Sequence, residues 1–135
     1  MFSKSHGAKH IVPLANQTVS ILRNLQPLTG RGRYVFPNSR RAHVPISDTA
    51  IPRALRSIGY AKGRTRGYMF RAAARNMLDE VLGESPELIE IQLGHRVRDR
   101  LDLAYSRANF LSERRAMMQK WADFCDQLKA GTLKS

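Results

Sequence analysis

Acidic residues are nearly missing from the first half of this chain. Residues 1–67 hold only Asp48, against twelve lysines and arginines, whereas residues 68–135 hold ten acidic residues against eleven basic ones. Cysteine is almost as scarce. Cys125 stands alone, which excludes an internal disulfide and a cysteine-built zinc site. No apolar run reaches the length needed to cross a bilayer as a helix. The opening MFSKSHGAKH has no apolar segment of the secretory kind. Repeats, low-complexity tracts and linkers are absent too, so the 135 residues read as one domain, 1–135. A phosphate-cradling loop is excluded as well, because Gly30-Arg31-Gly32 is too short and wrongly spaced. What remains is a chain with 42% hydrophobic residues, enough for a packed core, and a net charge of +12. A basic surface of that strength binds polyanions by releasing their condensed counterions, which makes double-stranded DNA the expected partner. A membrane surface is not expected, since the basic residues do not line an amphipathic helix. The expected location is cytoplasmic, associated with the nucleoid.

The pattern along the chain predicts a mainly α protein with a short β-hairpin or strand region near its start, an α+β fold class. Turn chemistry at Ser5-His6-Gly7 leads into a β-prone His10-Ile11-Val12. Residues 14–25 form a helix with Ile21, Leu22 and Leu25 on one side, and Pro27 is expected beyond its end. A glycine-punctuated loop follows, with a second short strand at Tyr34-Val35-Phe36. Ser47, Asp48 or Thr49 caps the next helix, which runs to about Ile58 before Gly59. Pro52 suits a start at Thr49, because proline fits only the first turn. After a basic loop at 60–67, residues 69–82 make a helix with an apolar stripe of Phe70, Ala74, Met77, Leu78 and Val81, closed by Gly83. Ser85-Pro86 starts a short helix through Leu93, and Gly94 stops it, leaving His95 at its C-terminal end. Residues 101–107 form a short helical segment holding Tyr105. A long helix runs from about Leu111 to Ala130, with Met117, Met118, Trp121, Phe124 and Leu128 as its apolar positions.

Three side chains along this path could act together on a phosphate. Arg71 lies in the first turn of its helix beside the basic loop, and an arginine offers a planar fork that matches two phosphate oxygens. His95 follows a glycine stop and can donate to the same phosphate or move a proton. Tyr105 comes ten residues later. A tyrosine of ordinary pKa near ~10 needs cations nearby to become a nucleophile at neutral pH, and arginines supply them. Each residue alone has a plain structural reading: a helix-end histidine, a half-buried tyrosine, a surface arginine. Their order and spacing are what point to phosphoryl transfer onto tyrosine.

Those motifs carry a resemblance. HIVPLANQTVSILRNLQPLTGRGRYVFPNSR, YMFRAAARNMLDE and IEIQLGHRVRDRLDLAYSRANFLSERRAMMQKWADF together resemble the C-terminal part of the catalytic domain of phage integrases, the tyrosine recombinases. The likeness is greatest to the P4-like prophage members and extends from about Ser3 to Asp126. It implies a partial tyrosine-recombinase catalytic domain that cleaves and rejoins DNA strands through a 3′-phosphotyrosyl intermediate. Tyr105 matches the nucleophile, Arg71 the second phosphate-clamping arginine, and His95 the Leu-Gly-His histidine. Lys4 matches the hairpin lysine that protonates the leaving 5′-oxygen, with Lys9 as the alternative. The family needs no metal or other cofactor, since its arginines carry the electrostatic work.

Two departures accompany the likeness. Where the family has histidine or lysine at the start of its His-x-x-Arg box, this chain has Tyr68, a hydrogen-bond donor without charge. The family's first active-site arginine lies upstream of the hairpin and has no match here; Arg31, Arg33 and Arg40 sit in settings unlike it. The expectation is a truncated integrase, lacking the arm and core-binding domains and impaired alone. The competing expectations are a catalytically inactive DNA-binding remnant and an oligomerisation module that pairs copies through the C-terminal helix.

Overall fold

The structure is a computed structural model and describes residues 10–60, 67–95 and 110–131. Five α-helices occur among them: α1 (Asn16–Thr29), α2 (Ala50–Ser57), α3 (Gly67–Asn76), α4 (Pro86–Gln92) and α5 (Leu111–Ala130). A π-helical turn, Met77–Val81, continues α3. By compactness the chain divides into Met1–Ala15 with Arg75–Ser135, called unit 1 below, and Asn16–Ala74, unit 2.

The mainly helical expectation agrees with this architecture, but neither expected strand forms among the described residues. His10-Ile11-Val12 is irregular backbone. The Ile11 carbonyl is taken by Arg114 Nη2 at 2.7 Å, and Pro13 brings no N–H to a ladder. The expected strand at Tyr34-Val35-Phe36 is replaced by one isolated antiparallel bridge, Pro37 with Pro45. Asn38 N–H donates to the Val44 carbonyl at 2.8 Å and Ile46 N–H to the Phe36 carbonyl at 3.0 Å. Prolines at both bridging positions offer no N–H to a further strand. The Asn38 side chain also curls the loop by accepting from the N–H groups of Arg40 and Arg41 at 2.9 and 3.2 Å. The hairpin portion before His10 lies outside the described residues.

Unit 2 holds α1, α2 and most of α3. Pro27 lies inside α1 rather than beyond it. The helix survives because the ring costs only one late intrahelical bond, and Gly30 N–H restores closure by donating to the Gln26 carbonyl at 2.7 Å. Thr49 does stand at the N-cap of α2, although its hydroxyl shares a bond with Ser47 Oγ at 3.0 Å instead of capping the helix. No described residue of 16–74 is buried, and Ile21 of the expected α1 stripe is 66% exposed.

Unit 1 contains the core: Leu78, Ile89 and Met117 are buried together, with Leu82, Leu88, Leu93, Met118 and Trp121 packed around them. The stripe expected on 69–82 is only partly right. Leu78 is 3% exposed, but Phe70, Met77 and Val81 are exposed. For Val81 the cause is the π turn. Leu82 N–H donates to the Met77 carbonyl at 2.9 Å, five residues back, so each turn is one residue wider and Leu82, not Val81, comes over Leu78. Gly83 then takes φ 62°, and Lys120 of α5 closes the end by donating to the Leu82 carbonyl at 2.6 Å and to Glu84 Oε1 at 2.8 Å. The bounds of α5 match the sequence pattern. Met117 and Phe124 are buried as expected, and the Trp121 and Phe124 rings lie 6.0 Å apart, whereas Leu128 is exposed.

Candidate active site

The Leu-Gly-His box is built by the end of α4. Leu93 is the C-cap, and Gly94 follows with φ 73°, a left-handed conformation that glycine adopts without a Cβ penalty. Gly94 N–H donates to the Ile91 carbonyl at 3.1 Å, and His95 N–H to the Glu90 carbonyl at 3.0 Å. These are the two reverse bonds of a Schellman motif, and they satisfy carbonyls that the helix end would otherwise leave open. The His10 imidazole lies over Gly94: a Cβ built there would come within 3.5 Å of His10 Nε2. A substitution at 94 would meet the backbone strain of that positive φ, while its Cβ would sit in ordinary contact with the ring.

This turn hands His95 to Glu90 a second time, through the side chains. His95 Nδ1 is hydrogen-bonded to Glu90 Oε2, and the other carboxylate oxygen, Oε1, accepts from Arg75 Nε at 2.7 Å. The Arg75 hydrogen bond, followed by the His95 one, holds the Glu90 carboxyl below the usual carboxylate range. Glu90 is the most enclosed of the three, with 27% of its side chain exposed, while Arg75 and His95 are about half exposed. The result is an accessible histidine whose Nδ1 is engaged by an anion.

Behind the turn, α4 is fixed by a buried arginine. Arg114 of α5 is 2% exposed; its Nε donates to Gln92 Oε1 at 2.9 Å and its Nη2 to the Ile11 carbonyl. One guanidinium thus joins the segment entering at His10, the helix that leads to His95, and α5. Burial lowers its pKa, but a guanidinium stays charged at any physiological pH.

Of the residues expected to form the site, His95 is accessible and held in unit 1. Arg71 and Tyr68 lie exposed on the part of α3 that belongs to unit 2, Tyr68 with 71% of its surface open. Tyr105, Lys4 and Lys9 lie outside the described residues, as does the expected helical segment 101–107. Three contributors escaped the sequence reading. Glu90 and Arg75 looked like ordinary surface charges, and Arg114 like one more cation in a basic chain. For Glu90 a signal did exist: a residue five before the one that follows a glycine helix stop is the Schellman partner.

No protein-family model and no solved structure matches the chain. Curated relatives do. It is 40% identical over 122 residues to the prophage integrase IntZ of Escherichia coli K12, covering 90% of this chain and 30% of that protein. It is 38% identical over 120 residues to the integrase of Enterobacteria phage P4, covering 87% of this chain and 27% of the relative. The prophage integrase IntA of Escherichia coli K12 is 32% identical over 124 residues, with 92% and 30% covered. The chain therefore spans about three tenths of the length of the relatives it matches. Among the described residues, no helix is long and apolar enough to cross a membrane. Across nearly all of its own length, then, the chain belongs with the phage and prophage integrases of the P4 kind.

Proposed function

We propose that the chain binds double-stranded DNA and breaks and rejoins one strand through Tyr105, as the catalytic portion of an integrase. The similarity to integrases over 87–92% of its residues carries this reading. The accessible His95, locked at a helix end, supports it. In the reaction the Tyr105 hydroxyl oxygen attacks the scissile phosphorus. The bond from phosphorus to the 5′-oxygen breaks, and a 3′-phosphotyrosyl link forms. Arg71 neutralises the phosphate oxygens. His95 takes up the tyrosine proton or donates to the phosphate, and Lys4, with Lys9 as the alternative, supplies the proton that leaves on the 5′-hydroxyl. Rejoining is the same path in reverse. Tyr68 donates a hydrogen bond where the family's box begins.

Acting alone, the 135 residues offer Arg71 as one phosphate clamp, with no match to the family's other arginine. A second reading is a chain that holds DNA without cutting it, and the exposed arginines of unit 2 favour it. Arg23, Arg31, Arg33, Arg40, Arg41, Arg53 and Arg56 are all exposed in unit 2, and their charge suits duplex phosphate in either case. Self-association through α5 has less to work with, because Met117 and Phe124 are already buried.

Covalent capture separates the two readings. Nicked suicide duplexes of randomised sequence are mixed with the protein and denatured. A DNA adduct that vanishes in Tyr105→Phe establishes strand cleavage. No adduct, with duplex binding that weakens steeply as salt rises, leaves the DNA-holding role alone.

A further inference from the structure

Among the described residues, one cluster of titratable side chains is not explained by packing or helix capping: Arg75, Glu90 and His95. The Schellman turn already fixes the His95 backbone through its N–H. The side-chain bond adds nothing to that turn. It decides instead which nitrogen of the imidazole is free. A carboxylate has no hydrogen to give, so the nitrogen facing Glu90 must carry one. Nδ1 is therefore the protonated nitrogen whether the ring is neutral or charged, and Nε2 is the nitrogen left to work. In the neutral ring Nε2 is a proton acceptor; in the charged ring it is a donor.

Arg75 makes this arrangement directional. It occupies Oε1 with its Nε, so the carboxylate has its other oxygen, Oε2, turned to His95. Among the described residues, the groups gathered around this turn include Glu90, which His95 meets directly, Arg75 of α3 on the other carboxylate oxygen, and His10 over the adjoining Gly94. Of these, only Glu90 is an anion. Partly exposed pairs of this kind contribute little to stability, which leaves orientation as what the cluster supplies.

We infer that Glu90, braced by Arg75, is a positioning residue that keeps the His95 proton on Nδ1 and presents Nε2 to the DNA phosphate or to the attacking tyrosine. The role rests on the strand-cleavage reading for its catalytic meaning, but its structural content can be measured separately. Partners that orient a functional histidine are typically worth ~10–100-fold where their removal has been measured at metal sites.

The experiment combines two readouts on the full chain, in the wild type, Glu90→Gln, Glu90→Asp and Arg75→Gln. Long-range ¹H–¹⁵N spectra of the histidine rings, assigned with His95→Gln, report the tautomer. The wild type is expected to show His95 protonated at Nδ1. Glu90→Gln, whose amide can accept or donate, is expected to show a mixture of tautomers, with Glu90→Asp and Arg75→Gln intermediate. Adduct formation on suicide duplexes should fall about 10–100-fold in Glu90→Gln, with partial recovery in Glu90→Asp. The two readings fail separately. A wild-type chain that gives no Tyr105-dependent adduct sinks cleavage, and the spectra still decide the tautomer. If His95 in Glu90→Gln keeps its proton on Nδ1 as in the wild type, or if the tautomer changes while adduct formation does not, the positioning role is wrong. Far-UV circular dichroism identifies a variant that has merely unfolded, and Glu90→Asp, which retains the carboxylate, then decides by the same two readouts.

Discussion

Arg114 Nε donates to Gln92 Oε1 at 2.9 Å across the gap between α5 and α4, and both residues are buried. The same guanidinium holds the carbonyl of the exposed Ile11, so its loss would leave one buried acceptor, Gln92 Oε1, without this partner. A buried acceptor left unpaired costs about 1–3 kcal/mol. Arg114→Met should therefore destabilise unit 1 by about 1–3 kcal/mol in urea unfolding. Arg114→Lys should recover only part of that, because a single ammonium cannot reproduce the fork. An unfolding midpoint for Arg114→Met equal to that of the wild type would show that the buried contact contributes nothing.

Helix ends were the most legible part of this chain, because glycine announces them. Gly59, Gly83, Gly94 and Gly131 all adopt positive φ, three of them at stops that the sequence marked. The placing of His95 just past α4 follows from the same logic. The strands were misread because β propensity ignores what a carbonyl can find in three dimensions, and the Ile11 carbonyl finds Arg114, 103 residues away. The site was legible in part. His95 was visible as a motif, while Glu90 and Arg75 depend on a side-chain pairing 15 residues apart that no local pattern encodes.

The π turn makes a prediction that an ordinary helix would not. In an unbroken α-helix, Leu78, Val81 and Leu82 share one face, so Leu78→Ala and Val81→Ala should both be costly. In the observed register Leu78 is 3% exposed and Val81 is 56% exposed. Leu78→Ala should destabilise by about 2–4 kcal/mol, whereas Val81→Ala should stay within about 0.5 kcal/mol. Comparable losses in chemical unfolding would show that the turn is α-helical in solution.

Acid should loosen the Glu90 cluster before it unfolds the chain. The hydrogen bonds from Arg75 and His95 lower the Glu90 pKa below its ordinary value of about 4.3. A carboxyl whose pKa is depressed by folding contributes stability that is fully present above the unfolded value, and this is lost as pH falls through the folded one. Glu90→Gln cannot titrate at this position. The stability difference between wild type and Glu90→Gln should thus hold steady from about pH 7 to pH 5, then shrink below about pH 4 as the wild-type carboxyl takes up its proton. The effect should be modest, because Arg75 and His95 are about half exposed. Urea unfolding of both proteins at half-unit steps of pH measures it. A difference that persists unchanged to pH 2 would mean that Glu90 acts there through packing and not through its charge.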